Sequence, residues 1–161
     1  MSVTVGSTTG DVATATYAFV SGSFGPAQGI ALTVKTNNNG MFVYRNAYGV
    51  RDNLDGTSNT IFVGEVVASH TPESYNRWTN GSRHTDSLRS TNNPINTPPG
   101  QGITTAPTAG INLNGAFGSQ HPGGAQFAFG DGRCTLIGEN VDMGVWIGAG
   151  SIAGGESTSL R

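Results

Sequence analysis

His121-Pro122-Gly123-Gly124-Ala125-Gln126-Phe127-Ala128-Phe129-Gly130-Asp131-Gly132-Arg133-Cys134-Thr135-Leu136-Ile137 is the stretch from which the fold is read. Residues 126–129 (QFAF) and 133–137 (RCTLI) are two short apolar runs separated by Gly130-Asp131-Gly132. Asp-Gly between two such runs is a hairpin signal, because both residues tolerate the backbone angles of a tight turn. Strand alternation puts Phe127 and Phe129 on one face, the face expected to meet the core. Pro122-Gly123-Gly124 makes a turn in front of the hairpin, so His121 stands before its first strand and Asp131 at its tip.

Working outward, residues 61–67 (IFVGEVV) are almost continuously apolar and predict a buried central strand, with Glu65 exposed or paired. The preceding 51–60 (RDNLDGTSNT) is dense in turn formers, whose side chains tie down their own backbone. Residues 13–20 (ATATYAFV), 30–34 (IALTV) and 41–44 (MFVY) predict three more strands, and Arg77-Trp78-Thr79 a short one. Asn140-Val141-Asp142 offers a cap for a short helix over 145–153, ended by Gly154-Gly155. Residues 90–107 carry four of the seven prolines and read as a long loop, here expected to reach across to a neighbouring subunit.

The whole chain has 161 residues, which fits a single domain, 1–161. Gly, Thr, Ser and Asn together make 72 of them, and charged residues only 11%. Such a chain lacks the long-helix formers, so a helical bundle is excluded. Net charge is −2, Lys35 is the only lysine and the seven arginines are scattered, which argues against nucleic acid as a partner. No run approaches the length of a membrane span. The N-terminus shows no basic region followed by an apolar run, so no signal peptide is visible. The uncharged polar excess suits a β-rich or loop-rich surface, or one that packs against copies of itself. The lone cysteine, Cys134, rules out an internal disulfide framework and reads as a small packed hydrophobe of its strand.

Catalytic patterns are missing. There is no G-x-S-x-G elbow, P-loop or H-E-x-x-H, and His70, His84 and His121 lack metal-ligand spacing. Were there an enzyme here, His121 and Asp131 would be its acid–base pair. Position twelve of the one EF-hand-like loop is Phe62, not Glu, which excludes that motif. Asp52, Asp55, Asn59 and Asp131 could still form an irregular oxygen site for calcium, against the plainer reading that they cap turns. Trp78 and Tyr75 would be the aromatic contribution to a glycan- or peptide-binding surface.

The His121 segment, with nine residues between His121 and Asp131-Gly132, resembles the C-terminal H-X9-DG pattern of the DUF1559 family, pseudopilin-like surface proteins abundant in planctomycete bacteria. Asn39-Gly40-Met41-Phe42 resembles that family's N-G-x-F strand. Asp55-Gly56-Thr57-Ser58-Asn59-Thr60 with Ile61, Gly64 and Glu65 resembles its D-G-T-S-N-T-I-x-x-G-E block, and Ala153-Gly154-Gly155-Glu156 its terminal A-G-G-E. The blocks run from about residue 39 to 156. Members usually open with a type IV prepilin leader and a long apolar helix, which this sequence does not display. The resemblance implies an extracellular or cell-surface location and a mostly β, pilin-like α+β fold. It implies an antiparallel sheet with long loops and a short C-terminal helix, and no catalytic residues.

Three expectations follow. The first is a non-enzymatic structural subunit that self-assembles into a filament, tube or sheath by edge-strand pairing or by loop exchange. Phe42, Phe62, Phe127 and Phe129 would then be its internal anchors. The second is a surface module binding a glycan, a peptide or calcium. The third is that His121, Asp131, Gly132, the 55–59 turn and Glu65 serve as structural braces, with His121 and Asp131 holding the hairpin directly or through the 55–60 loop.

Overall fold

The structure, a computed structural model, describes residues 2–5, 8–11, 13–25, 36–67, 87–104, 114–155 and 160. The strands expected over 30–34 and 77–79, and His70, Tyr75, Trp78 and His84, lie outside the described residues.

A small hairpin opens the chain, β1 (Ser2–Val5) against β2 (Thr8–Asp11). The main unit is a five-stranded sheet of β3 (Tyr17–Gly22), β4 (Ile61–Glu65), β5 (Leu88–Ser90), β6 (Gly124–Phe129) and β7 (Cys134–Gly138) in the spatial order β5-β3-β4-β6-β7. Neighbours are antiparallel except β5, which runs parallel to β3, so the sheet is mixed rather than antiparallel throughout. Among the described residues a turn of 3-10 helix covers Val50–Asp52, and a short helix, α1, covers Met143–Gly148. The fold is thus sheet-rich α+β. Among the described residues no helix is long and apolar enough to cross a membrane.

Period-2 alternation divides the sheet. Ala18 and Val20 of β3, Ala125, Phe127 and Phe129 of β6, and Ile137 of β7 face one side and are buried. A β-bulge between Ile61 and Val63 lets Ile61 join them. Trp146 of α1, Phe117 and Ile95 close this core. The rings of Phe117, Phe127 and Trp146 stand edge to face, with centroids 5.1–6.1 Å apart. Gly64 sits where a Cβ would run into the rings of Phe127 and Phe117, so only glycine lets this strand lie against them. Asp142 caps α1, accepting from the Gly144 and Val145 amides at 2.9 and 3.1 Å. The indole of Trp146 donates to the Asn93 carbonyl at 2.8 Å, so its one polar atom is satisfied in the core.

Several expectations need correction. The strand expected over 13–20 begins and ends later, at Tyr17–Gly22. Its polar end is buried because residues 38–40 pack on it. Gly40 donates to the Ser21 carbonyl, and the Asn38 and Asn39 side-chain carbonyls accept from the Phe24 and Ser23 amides. Residues 41–44 form no strand, only the isolated bridge Phe42↔Ala47. The helix starts two residues earlier than expected and stops at Gly148. Cys134 is in a strand but exposed, because it points away from the core side of β7.

The 90–107 loop is not a projecting arm over its described part. Residues 91–93 and Ile95 are buried. Asn93 accepts from the Ile103 amide and donates to the carbonyls of Ile103 and Asn114. Asn114 in turn reaches the Pro98 carbonyl at 2.7 Å and that of Gln101 at 3.2 Å. Amide side chains here substitute for the backbone partners a strand would supply. Much of the chain's asparagine content is therefore spent inside the molecule rather than on its surface.

Candidate functional site

Three of the segments singled out above, the 55–60 turn, the hairpin tip at 130–133 and the glycines at 154–155, meet at one junction. Its centre is the 53–60 turn. The Asp55 carboxylate accepts from the Gly154 amide at 2.7 Å and the Gly155 amide at 2.9 Å, one bond to each oxygen, with Ser151 Oγ at 3.4 Å. Ionised acceptors of this kind form the stronger hydrogen bonds. Asn59 donates to the Asp55 carbonyl at 2.9 Å, closing the turn on itself. The fully buried Thr60 hydroxyl lies 3.0 Å from Asn53 Oδ1 and 3.3 Å from the Ser151 carbonyl. Leu54 and Asp55 amides donate to the Ile152 carbonyl. The turn is thereby laced to the segment that follows α1.

Its other side is laced to the hairpin tip. The Gly130 amide donates to the Thr60 carbonyl at 3.1 Å, the Asp131 amide to that of Thr57 at 3.2 Å, and Arg133 Nη2 to that of Ser58 at 2.8 Å. The Asp131 side chain stays local and accepts from the Arg133 amide at 2.9 Å, an Asx turn. Gly132 follows with φ +89°, the left-handed residue that a three-residue hairpin loop requires. Arg133 also lies over the Phe129 ring, 4.0 Å from its centroid. Arg133 was not singled out in the sequence; its place directly after the Asp-Gly turn was the available signal.

His121 and Asp131 are not brought together, since they stand at opposite ends of β6. His121 pairs instead with Glu65, Nε2 to Oε1 at 3.5 Å, and its side chain is 60% exposed. Glu65, half-buried, accepts from the Gln126 amide at 2.7 Å and so ties β4 to the start of β6. The four oxygen donors considered for calcium do not converge. Asp52 accepts from the Gly49 amide at 2.6 Å, Asp55 serves Gly154 and Gly155, and Asp131 serves its own turn. Among the described residues no three His, Cys, Asp or Glu side chains gather as a metal site would require.

A cleft of about 640 Å³ opens elsewhere, on the face of the sheet opposite the core. Phe19, Phe42, Tyr44, Tyr48 and Leu88 form its walls, and among the described residues no charged side chain lines it. Phe42 stacks tilted on Phe19 at 4.7 Å and meets Phe62 edge-on at 5.5 Å. Phe42 and Phe62 are thus half-buried on this second face, whereas Phe127 and Phe129 are in the core. Tyr44 Oη and Ser87 Oγ are 3.2 Å apart, and Asn46 Nδ2 donates to Tyr48 Oη at 2.9 Å. The aromatic spacing in residues 41–48 was the signal for this cleft, and the strand expectation there concealed it.

The sheet has two unlike edges. β5 is three residues long and wholly buried, with the Ser21 hydroxyl donating to the Arg89 carbonyl at 3.0 Å. β7 is longer and carries Cys134, Leu136 and Gly138 exposed.

No curated protein and no solved structure matches the chain. One family model does, described as "Protein of unknown function (DUF1559)", over residues 4–144. That match takes in the turn at 53–60, the hairpin and the N-terminus of α1, and the chain belongs to the DUF1559 family.

Proposed function

We propose that this chain is a non-enzymatic structural subunit of a cell-surface assembly, a filament, tube or sheath built from copies of itself. The observation that supports this most is how the polar side chains of its most distinctive segments are used. Asp55 and Glu65 accept from main-chain amides of other segments, and Asn59 and Asp131 bond main-chain groups of their own turns, so all four act as ties and not as reacting groups. Catalysis needs an acid, base or nucleophile presented to a substrate. Here the carboxylates are engaged by backbone amides.

Low charge, 11% of residues, reduces repulsion between neighbouring copies, and the exposed β7 edge offers unpaired backbone groups for them. Negative-stain electron microscopy of the purified chain over a range of concentrations tests the proposal. Ordered oligomers or filaments are expected, unaffected by a calcium chelator. A uniform field of monomers would overturn it.

A second reading, a surface module for an uncharged ligand, is favoured by the cleft alone. Aromatic faces beside tyrosine hydroxyls and an asparagine amide suit a sugar ring. Saturable binding of a neutral oligosaccharide, lost on Tyr48→Ala, would move the weight to this reading.

A further inference from the structure

The structural-subunit reading leaves open which surface joins the copies, and the inference that follows rests on it. The β7 edge has a definite hydrogen-bonding phase. The Phe129 amide donates to the Arg133 carbonyl, and the Glu139 amide to that of Gly123, both at 2.9 Å. Antiparallel pairing alternates from residue to residue. Residues 133, 135, 137 and 139 therefore turn their backbone groups inward to β6. Cys134, Leu136 and Gly138 turn theirs outward, and all three are exposed. Among the described residues no strand lies beyond them.

Around Leu136 this strand is symmetric in charge. Arg133 lies three residues before it and Glu139 three after, and no Asp, Glu, Lys, Arg or His lies between them. Charges flanking an edge ordinarily discourage pairing. These two have opposite sign and equal offset, so a two-fold axis through Leu136 would bring each against its opposite.

We propose that β7 pairs antiparallel with β7 of a second copy, Leu136 facing Leu136. Cys134 then faces Gly138 of the second copy, so all three outward positions fall in hydrogen-bonded pairs. Arg133 faces Glu139 of the second copy in a non-hydrogen-bonded pair, with Cβ atoms about 4.5–5.5 Å apart. Both side chains emerge on the same face of the sheet, by the same alternation. Arg133 uses Nη2 on Ser58 and Nη1 on Leu160, and Glu139 uses Oε2 on Asn96. Guanidinium donors and Oε1 remain unused, and Arg133, which in the single subunit leans toward β6 over Phe129, turns outward to meet the partner. On the opposite face Leu136, 49% exposed, meets its own copy, and Gly138 leaves room beside Cys134.

Slipping the register by two keeps backbone pairing but sets Arg133 opposite residue 137 or 141, which are Ile137 and Val141. Charge complementarity thus selects one register out of several. The two-fold closes at a dimer, so a longer assembly would add a second contact to this unit.

Sedimentation equilibrium of the full chain at low salt tests the pairing. The wild type is expected to dimerise. Arg133→Glu and Glu139→Arg should each weaken the dimer at least tenfold, and the double variant R133E/E139R should recover most of the loss. Leu136→Lys, at an exposed position, places two lysines face to face and should also weaken it at least tenfold. Thermal melting of each variant checks that the monomer still folds. Association of the wild type that neither the single charge reversals nor Leu136→Lys alter would overturn the β7 pairing and leave the structural-subunit reading standing. A wild type that stays monomeric at every concentration would overturn both.

Discussion

The two faces of the five-stranded sheet are both aromatic, yet they are finished differently. On one, Phe127 is sealed by Phe117 and Trp146, and all three are at most 1% exposed. On the other, Phe42 packs against both Phe19 and Phe62, all three stay half-buried, and Phe19 and Phe42 line a cleft. The first face is closed by the chain's own helix and loop, so its energy goes into folding. The second retains apolar surface that water still reaches, and this is surface available to another molecule.

The contrast is broken most severely at Phe127. Phe127→Ala should lose about 3–5 kcal/mol, a large share of the stability of such a domain. Phe42→Ala on the open face should lose about 1–2 kcal/mol, since less area returns to water. Urea unfolding of the two variants measures both. If Phe42→Ala proved as costly as Phe127→Ala, the second face would be a core and not an open surface.

Gly64 sharpens the same contrast. Gly64→Ala adds one methyl on the sealed side, against the Phe127 and Phe117 rings, and should cost about 1–3 kcal/mol by overpacking. An unchanged melting temperature would mean the sealed face has slack.

The turn junction is held by hydrogen bonds instead of packing, so its loss should be smaller. Asp55→Ala strands the amides of Gly154 and Gly155 and should cost about 1–2 kcal/mol, seen as a lower urea midpoint with unchanged slope. Asp55→Asn keeps one of the two acceptor oxygens, sets an NH2 against the other amide, and should cost less. Equal losses for the two would argue that one acceptor oxygen is not enough and the full carboxylate is required there.

The smallest effect belongs to His121. Its imidazole is 60% exposed where it meets Glu65, so His121→Ala should change stability by less than about 1 kcal/mol. A loss as large as that of Phe127→Ala would restore the stronger bracing role that the sequence suggested.

Legibility in the sequence followed the physics of each part. The hairpin was readable because alternation and the Gly130-Asp131-Gly132 turn chemistry agree over 124–138. β4 was readable because a central strand carries an almost continuous apolar run, and it is central as expected, with Ile61 and Gly64 buried and Phe62 and Val63 half-buried. β5 was not readable: three residues with a buried Arg89 carry no periodicity. The start of β3 was misplaced because alternating Ala and Thr mimic a strand, whereas the true strand ends in Ser21 and Gly22, buried by a turn distant in sequence. Asn93 and Asn114 look like loop residues one at a time, and only their mutual geometry makes them interior struts. The segments around Asp55 and Gly154 were both noticed, but their contact lies about 100 positions apart in sequence and no local pattern encodes it.

The most direct test of the account is amide hydrogen exchange across β7 as protein concentration rises. Self-association through this edge predicts that the amides of Cys134, Leu136 and Gly138 exchange quickly when dilute and slow progressively as copies pair, while those of Thr135 and Ile137, turned toward β6, stay protected throughout. Equally fast exchange at the three outward amides at every concentration would contradict it.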